Sequence, residues 1–169
     1  DVTTDKQNNV YITDYKHNEV QKFDKNGKFL TRWGKTGYKD GQFADAKSVA
    51  IDSAGNVFIT DTTGRIQKFD SNGVFQSKFI PEPPDNRGID VFALAIDSQD
   101  NFYIGDRTNN RIIKLDRGGK ILAVWGIGGT SEGQFREIQE IVVDQAGNIY
   151  VGDWGNNRIQ KFRQPLFRP

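Results

Sequence analysis

Short stretches of alternating polar and apolar residues recur along the chain, separated by turns rich in Gly, Asn and Asp. The stretch VYITD at 10–14 has close counterparts in VFITD at 57–61, FYIGD at 102–106 and IYVGD at 149–153. Aromatic and β-branched residues with a period of two, bounded by turn residues, are typical of β-strands. No ten-residue stretch has a helical period. The pattern therefore predicts an all-β protein built from short strands.

These strands fall into a repeat. The segments VTTD, VAID, LAID and IVVD begin at residues 2, 49, 94 and 141, so the spacings are 47, 45 and 47 residues. Each segment is followed by a turn, the aromatic strand, a polar loop and a third strand such as IQKF. A second turn and a fourth strand such as KFLTRW complete the unit. Four antiparallel strands in about 40–50 residues is the size of one propeller blade, so we predict a β-propeller of four-stranded antiparallel blades.

The repeat count predicts one partial β-propeller domain over residues 1–169. Its repeats are 2–48, 49–93, 94–140 and an incomplete 141–169, which makes about three and three-quarter blades. The last repeat lacks its outermost strand, and no segment before Val2 is available to supply it. We expect either a part of a larger propeller or a half-ring that associates with another copy through its open blade edges.

The repeat resembles the NHL repeat. The resemblance lies in the aromatic strand that ends in Asp, the loop that ends in NNR, the strand IQKF, and the linkers GKTGYKDGQF and GIGGTSEGQF. It covers nearly the whole chain, although the Pro that the family often has before the first strand is replaced in ADAKS, DVFA and REIQE. The resemblance implies a six-bladed parent propeller whose loops bind other molecules.

Composition narrows the chemistry. The chain has 23 basic and 22 acidic residues, one His and no Cys. A net charge near zero disfavours nucleic acid as a partner. A single His, His17, excludes a three-His zinc site within one chain, and the lack of Cys excludes thiolate ligands. A calcium site of carboxylate and amide oxygens stays open, because Asp and Asn are abundant. The sequence assigns no catalytic residue, no metal ligand and no other cofactor.

Residues that recur in each blade are interpreted as scaffold. Three repeats place an Arg four or five positions after the Asp that ends the second strand, which predicts a carboxylate–guanidinium pair. These pairs are Asp61–Arg65, Asp106–Arg111 and Asp153–Arg158. The first repeat has Glu19 in place of Arg, so Lys16 or His17 is expected to compensate Asp14. The recurrent lysines are expected to be solvated; they are Lys22, Lys68, Lys114 and Lys161.

Loop residues that do not repeat are the candidate contacts. In the loops between the second and third strands of the blades, these are Tyr15, Lys16, His17, Arg107 and Trp154. Aromatic side chains beside basic ones are typical of recognition surfaces, and they can also stack a base or a sugar. The alternative for Trp154 is packing on a neighbouring blade.

A second candidate is the linker PEPPDNRGIDVFA. Pro81, Pro83 and Pro84 stiffen it, and it differs from the other two linkers. A rigid loop that departs from its counterparts predicts either a partner contact or neutral divergence.

The preferred interpretation is a non-enzymatic NHL-repeat scaffold that presents the loops of one face to a protein or a small ligand. Two alternatives stay open. One is a part of a metal-dependent lyase or lactonase-type propeller enzyme whose site is completed by missing blades; the other is an RNA-binding NHL domain. No apolar run long enough to span a membrane is present. The family's use in microbial surface proteins points to a secreted or cell-surface location.

Overall fold

The computed structural model describes residues 1–163, in which almost all regular structure is β-strand. The chain forms two compact units, Asp1–Ile80 and Pro81–Pro169. Residues 164–169 of the fourth repeat lie outside the described residues. The expectation of a single propeller domain over residues 1–169 stays a prediction.

The first unit contains two four-stranded antiparallel sheets, with strand orders β1-β2-β3-β4 and β5-β6-β7-β8. The first sheet consists of β1 (Val2–Thr4), β2 (Val10–Asp14), β3 (Glu19–Phe23) and β4 (Phe29–Trp33). The second consists of β5 (Val49–Ile51), β6 (Val57–Thr60), β7 (Ile66–Phe69) and β8 (Phe75–Phe79). Sequential strands are neighbours throughout, so each sheet is an up-and-down blade, as predicted.

The second unit contains a third blade and three strands of a fourth. The third blade consists of β9 (Val91–Ile96), β10 (Phe102–Asp106), β11 (Arg111–Leu115) and β12 (Ile121–Trp125). The fourth has β15 (Ile138–Val143), β16 (Ile149–Asp153) and β17 (Arg158–Phe162), with a short 3-10 helix at Trp154–Asn156. Within the described residues, the fourth blade therefore has the three strands that the sequence predicted.

Two features of the second unit differ from the prediction. Strands β9 and β15 each begin three residues earlier than expected, because their pairing with the next strand continues past a β-bulge to Val91↔Asp106 and Ile138↔Asp153. The linker also forms a short parallel pair between β13 (Ile127–Gly128) and β14 (Gln134–Phe135). A bulge adds a residue to one strand and leaves no sign in a simple alternating pattern.

A recurrent Asp shapes the turn after each innermost strand. Asp5 accepts hydrogen bonds from the backbone N–H groups of Gln7 and Asn9 at 2.9 and 2.8 Å, and from the Tyr11 hydroxyl at 3.1 Å. Asp97 accepts from the Tyr103 hydroxyl at 3.1 Å in the same way. An Asp that bonds the backbone two residues ahead stabilises a tight reversal. These residues therefore position the strands.

Each unit has its own apolar core between its sheets. In the first unit, Tyr11 and Val20 of one blade cluster with Val49, Ile59 and Phe69 of the other. In the second unit the corresponding cluster includes Tyr103, Ile112, Ile141 and Val151. Large apolar side chains that interdigitate between sheets supply most of the stabilisation of such a fold.

The prediction that the recurrent lysines are solvated is wrong for Lys22, whose residue is only 9% exposed. Its ammonium group lies 4.9 Å from the centroid of the Tyr11 ring and donates a hydrogen bond of 3.0 Å to the Ser71 carbonyl oxygen. The ring face and the carbonyl together replace water around the charge. Lys22 thus joins the two sheets of the first unit.

Among the residues described, no helix has the length and apolar character needed to cross a membrane.

Candidate functional site

The loops that carry the candidate residues lie against the linkers between blades, and a buried ion pair holds the two together. In the second blade, Asp61 accepts hydrogen bonds from Nε and Nη2 of Arg65 at 2.9 and 2.8 Å. Both side chains are almost fully buried. The same guanidinium donates to the carbonyl oxygens of Tyr38 and Gln42 at 2.6 and 2.8 Å. The predicted pair is confirmed, and it fixes the linker to the loop.

The fourth blade repeats this arrangement. Arg158 donates to Asp153 at 2.7 Å and to the carbonyl oxygens of Thr130, Ser131 and Gln134 at 2.8, 2.7 and 2.8 Å. Charge-assisted hydrogen bonds of this kind are about twice as strong as neutral ones. The recurrent Asp and Arg residues are therefore scaffold rather than free ligands.

In the third blade, the corresponding arginine fixes a different linker to the loop. Arg111 donates to Asp106 at 2.7 Å, as predicted, and also to Asp85 of the Pro-rich segment. The Asp85 carboxylate accepts a hydrogen bond from Arg111, whereas Arg65 and Arg158 donate to carbonyl oxygens of their linkers. Within this linker, Pro81 and Pro83 are buried and Pro84 is exposed. Asp85 was not identified from the sequence. It could have been found as an acidic residue in the linker that lacks the GQF motif of the other two linkers.

In the first blade, His17 compensates Asp14. The His17 Nδ1 atom lies 2.8 Å from an oxygen of Asp14, and the backbone N–H of His17 donates to the same carboxylate at 3.1 Å. Glu19 instead accepts a hydrogen bond from the Gln21 side chain at 2.9 Å and forms an ion pair with Arg32 at 3.5 Å. The hydrogen bond from the imidazole raises the pKa of His17 and lowers that of Asp14. This loop therefore carries a charge that changes near neutral pH.

The His17 pKa can be measured without ambiguity, because the chain contains one His. We expect its imidazole, followed by proton NMR, to titrate above the ordinary value of 6.5. Asp14→Asn should return it towards that value, because the substitution removes the negative charge and weakens the hydrogen bond to the imidazole. Asp24→Asn, in another turn of the same blade, is the control. The folded state gains stability from this pair below the unfolded-state pKa and loses it as pH rises through the raised one. An unchanged His17 titration in Asp14→Asn would contradict the assignment.

The five predicted contact residues fall into two groups. Tyr15, Lys16 and His17 share the β2–β3 loop of the first unit and are all exposed. Arg107 and Trp154 occupy corresponding loops in the two blades of the second unit. The structure brings together the first three; Arg107 and Trp154 come from separate blades.

Arg107 and Trp154 are in different environments. Arg107 lies over the Phe92 ring at 4.7 Å and pairs with Glu137 at 3.8 Å, so its guanidinium is already engaged within the unit. Trp154 is 58% exposed on the 3-10 helix. A Trp with this much exposed surface is a candidate anchor for another molecule.

A cleft of about 610 Å³ lies beside Trp154. It is lined by Gln139, Glu140, Gly152, Trp154, Asn157, Arg158 and Ile159. Partial desolvation at the cleft raises the pKa of Glu140, although the residue as a whole is exposed, and its carboxylate accepts a hydrogen bond from the backbone N–H of Ile141 at 3.2 Å. The cleft thus combines an apolar wall with the acid Glu140 and with Arg158, whose guanidinium is paired with the buried Asp153. Sequence reasoning found Trp154 but not its neighbours, because they come from three strands.

Among residues 1–163, no group of three or more His, Cys, Asp and Glu side chains comes together to hold a metal ion. These described residues therefore provide no ligand set for the calcium site that the sequence left open.

Comparison with known proteins supports the repeat assignment. The family model of the NHL repeat matches residues 135–162. Protein brain tumor from Drosophila melanogaster is 28% identical over 131 residues, which cover 74% of this chain and 12% of that protein.

Solved structures show the same fold. Virginiamycin B lyase from Staphylococcus aureus superposes with a TM-score of 0.68 and 14% identity, over 98% of this chain and 55% of the lyase. A streptogramin B lyase gives a TM-score of 0.68 and 16% identity, over 97% of this chain and 54% of the lyase. The chain spans about half the length of these propellers. At this identity the likeness concerns the fold alone, which is that of a partial propeller.

Proposed function

We propose that this chain, an NHL-repeat β-propeller segment, is a scaffold that binds a protein partner through the loops around Trp154. The observation that carries the proposal is the exposed Trp154 at the rim of a preformed cleft. A partner side chain that enters this cleft is buried against Trp154 and Ile159 without a large rearrangement of the loops. Preformed clefts beside aromatic anchors are where binding energy concentrates in protein interfaces.

The scaffold around Trp154 supports this role. The preceding residue, Asp153, is fully buried and accepts hydrogen bonds from Arg158 at 2.7 Å and from Asn156 at 2.9 Å. The loop is therefore held at both ends while Trp154 itself stays exposed. A rigid loop loses little conformational entropy on binding.

The enzymatic and RNA-binding alternatives have less support. The one His is tied to Asp14 in an exposed loop of the first unit, and the recurrent acids are paired with arginines. A net charge of +1 gives no broad attraction to phosphate. Protein binding therefore remains the preferred function.

Trp154→Ala should weaken partner binding by roughly 30-fold or more, as expected for an aromatic anchor worth about 2 kcal/mol. Because Trp154 is exposed, the melting temperature should change little. The immobilised chain is exposed to extract from its source cells, and a protein retained by the wild type is identified, purified and titrated calorimetrically against each variant.

The matched control is Leu122→Ala, which removes an exposed apolar side chain from the outer strand of the third blade. Arg107→Ala tests the neighbouring loop and should lower stability as well, because it removes the contacts to Phe92 and Glu137. Equal retention of every protein by wild type and Trp154→Ala would reject the Trp154 surface. Loss of fold in Trp154→Ala would assign this residue to packing.

A further inference from the structure

The guanidinium group of Arg111 is less completely paired than its equivalents in the second and fourth blades. Its side chain is 7% exposed, and its Nε and Nη1 atoms donate to Asp106 and Asp85. Its Nη2 atom is buried and has no hydrogen-bond partner among the residues that the structure describes. In Arg65 and Arg158, Nη2 donates to a carbonyl oxygen of the linker at 2.8 Å. A buried N–H group without an acceptor is costly, so an acceptor is expected at this position.

The Pro-rich linker of the third blade, residues 81–90, has no aromatic anchor. In the other two linkers, Phe43 and Phe135 are fully buried, whereas residues 81–90 contain no aromatic side chain. The tip of this linker, residues 84–88, is exposed, and Asn109 donates to one of its carbonyl oxygens at 2.7 Å. The tip is therefore held in place by polar contacts rather than by a buried ring.

This linker also lacks a side-chain amide that fixes the other two. Gln67 and Gln160 follow their arginines by two positions, and their amides donate to linker carbonyl oxygens at 2.7 Å. The third blade has Ile113 at the corresponding position after Arg111, and an apolar side chain cannot form this bond. The pair between Asp85 and Arg111 therefore carries more of the attachment than the equivalent contacts in the other linkers.

Asp85 lies on a turn that presents it to Arg111. The backbone N–H of Asn86 donates to the Pro83 carbonyl oxygen at 3.0 Å, which closes a tight turn. The ring of Pro84 fixes the φ angle at the second position of this turn. The Asp85 side chain, at the third position, is 39% exposed. The group that reaches the guanidinium is thus an acid that directly follows a proline.

Asp85 binds the guanidinium through a single oxygen. Its Oδ2 atom accepts a hydrogen bond from Nη1 of Arg111, whereas its Oδ1 atom accepts one from the backbone N–H of Arg87 at 3.3 Å. Carboxylates bind arginine most strongly through two parallel N–H···O bonds in the plane of the guanidinium. A carboxylate with one oxygen on Nη1 and the other on Nη2 would satisfy the donor that Asp85 leaves unpaired.

We propose that Arg111 anchors a binding site for an acidic side chain in a Pro-rich segment of a partner protein, and that Asp85 occupies this site in the free chain. The partner carboxylate takes the place of Asp85 and accepts hydrogen bonds from both Nη1 and Nη2. Exchange is required rather than addition, because Asp106 is already paired with Nε and a third acid at one guanidinium would be repelled by the other two.

The linker itself defines the chemistry of this ligand, because its own acid follows two prolines, Pro83 and Pro84. A segment stiffened by proline loses little conformational entropy when it binds. Displacing the exposed tip uncovers the guanidinium without removing a buried aromatic ring. The site shares no residue with the cleft beside Trp154, so it is a second and separate contact surface.

The test uses the whole chain and the synthetic peptide EPPDNRG, which copies residues 82–88. Calorimetric titration should show weak binding to the wild type, because the tethered Asp85 competes at an effective concentration on the order of millimolar. Asp85→Asn should bind the peptide about tenfold more tightly or better, because apparent affinity scales with the fraction of molecules whose site is open. The same peptide with Asn in place of its Asp should not bind.

The matched control is Glu82→Gln, which removes a negative charge from the same linker and should bind the peptide as weakly as the wild type. Adding Arg111→Lys to Asp85→Asn should abolish the gain, because Lys keeps a positive charge beside Asp106 but lacks the planar fork. Circular dichroism checks that this double variant is folded. The NMR signal of the Arg111 Nε–H group in Asp85→Asn should shift when the peptide is added, and this measurement needs no substitution of Arg111.

Equal affinity of the wild type and Asp85→Asn for the peptide would overturn the proposal, as would an equal gain in Glu82→Gln. Binding of the peptide that carries Asn would show that no carboxylate is recognised. Binding that persists in the folded Arg111→Lys double variant, or an Arg111 signal that does not move, would exclude this arginine as the anchor. Failure of Asp85→Asn to bind at millimolar peptide would make Nη2 a donor to water alone and would also reject the site.

Discussion

Asp61→Ala should lower the free energy of unfolding by about 3–5 kcal/mol, which is the usual cost of removing one partner from a buried ion pair. The carboxylate accepts two hydrogen bonds from Arg65 and one from the backbone N–H of Thr63 at 3.0 Å. Without it, the Arg65 charge stays buried with only carbonyl oxygens around it. Since domains are stable by about 5–15 kcal/mol, the loss takes a large share of the total.

Chemical denaturation followed by circular dichroism and tryptophan fluorescence measures this loss. Asp61→Asn is a milder variant that keeps the shape and removes the charge, and it should fall between the wild type and Asp61→Ala. The matched control is Asp14→Ala, which removes the corresponding Asp of the first blade. Its partner His17 is mostly exposed, so only a small change is expected. Equal losses in Asp61→Ala and Asp14→Ala would show that burial of the pair does not matter.

Phe43→Ala should cost about 3–5 kcal/mol, the range for removing a buried Phe ring. Phe43 lies in the linker before the second blade, is fully buried, and packs on Phe69 with 5.7 Å between ring centroids. A Cβ atom added to Gly34 would lie 2.5 Å from its ring, so the ring rests directly on the backbone there. Gly34 has no side chain that could fill the cavity left by Phe43→Ala.

Phe29→Ala is the control for Phe43→Ala, because it removes the same ring from a position that is 50% exposed. Its cost should be about 1 kcal/mol or less, since an exposed ring loses little burial. Thermal unfolding and urea titration of the two variants give the difference. Similar losses for both would mean that the linker ring does not hold the second blade in place.

The sequence was sufficient to predict the strands, the turns and the ion pairs within single loops. Alternation in VYITD and its counterparts predicted the strands, and Asp, Asn and Gly predicted the turns, because both depend on residues a few positions apart. The spacing of Asp61 and Arg65 across one short loop predicted their ion pair for the same reason. The repeat then predicted the blades and their number.

Candidate site residues were harder to predict. Trp154 was identified because it breaks the repeat, but the cleft beside it also needs Glu140 from β15, Asn157 from the loop before β17 and Ile159 from β17. Asp85 was missed because it contacts Arg111 across 26 positions of sequence. Contacts at that range depend on how the linker folds back, and no periodicity records them.

The sequence by itself determined the strands, the turns, the four-strand blades and the ion pairs within single loops, since each follows from neighbours along the chain. Only the tertiary structure decided which equivalent residues are covered. Val20 and Ile159 occupy the same repeat position, yet one is buried and the other exposed. Lys22 and Lys161 share another position, and only Lys22 is buried. The physical reason is that burial of a sheet face depends on whether another sheet packs against it. The sequence of a repeat is the same whether or not its face is covered.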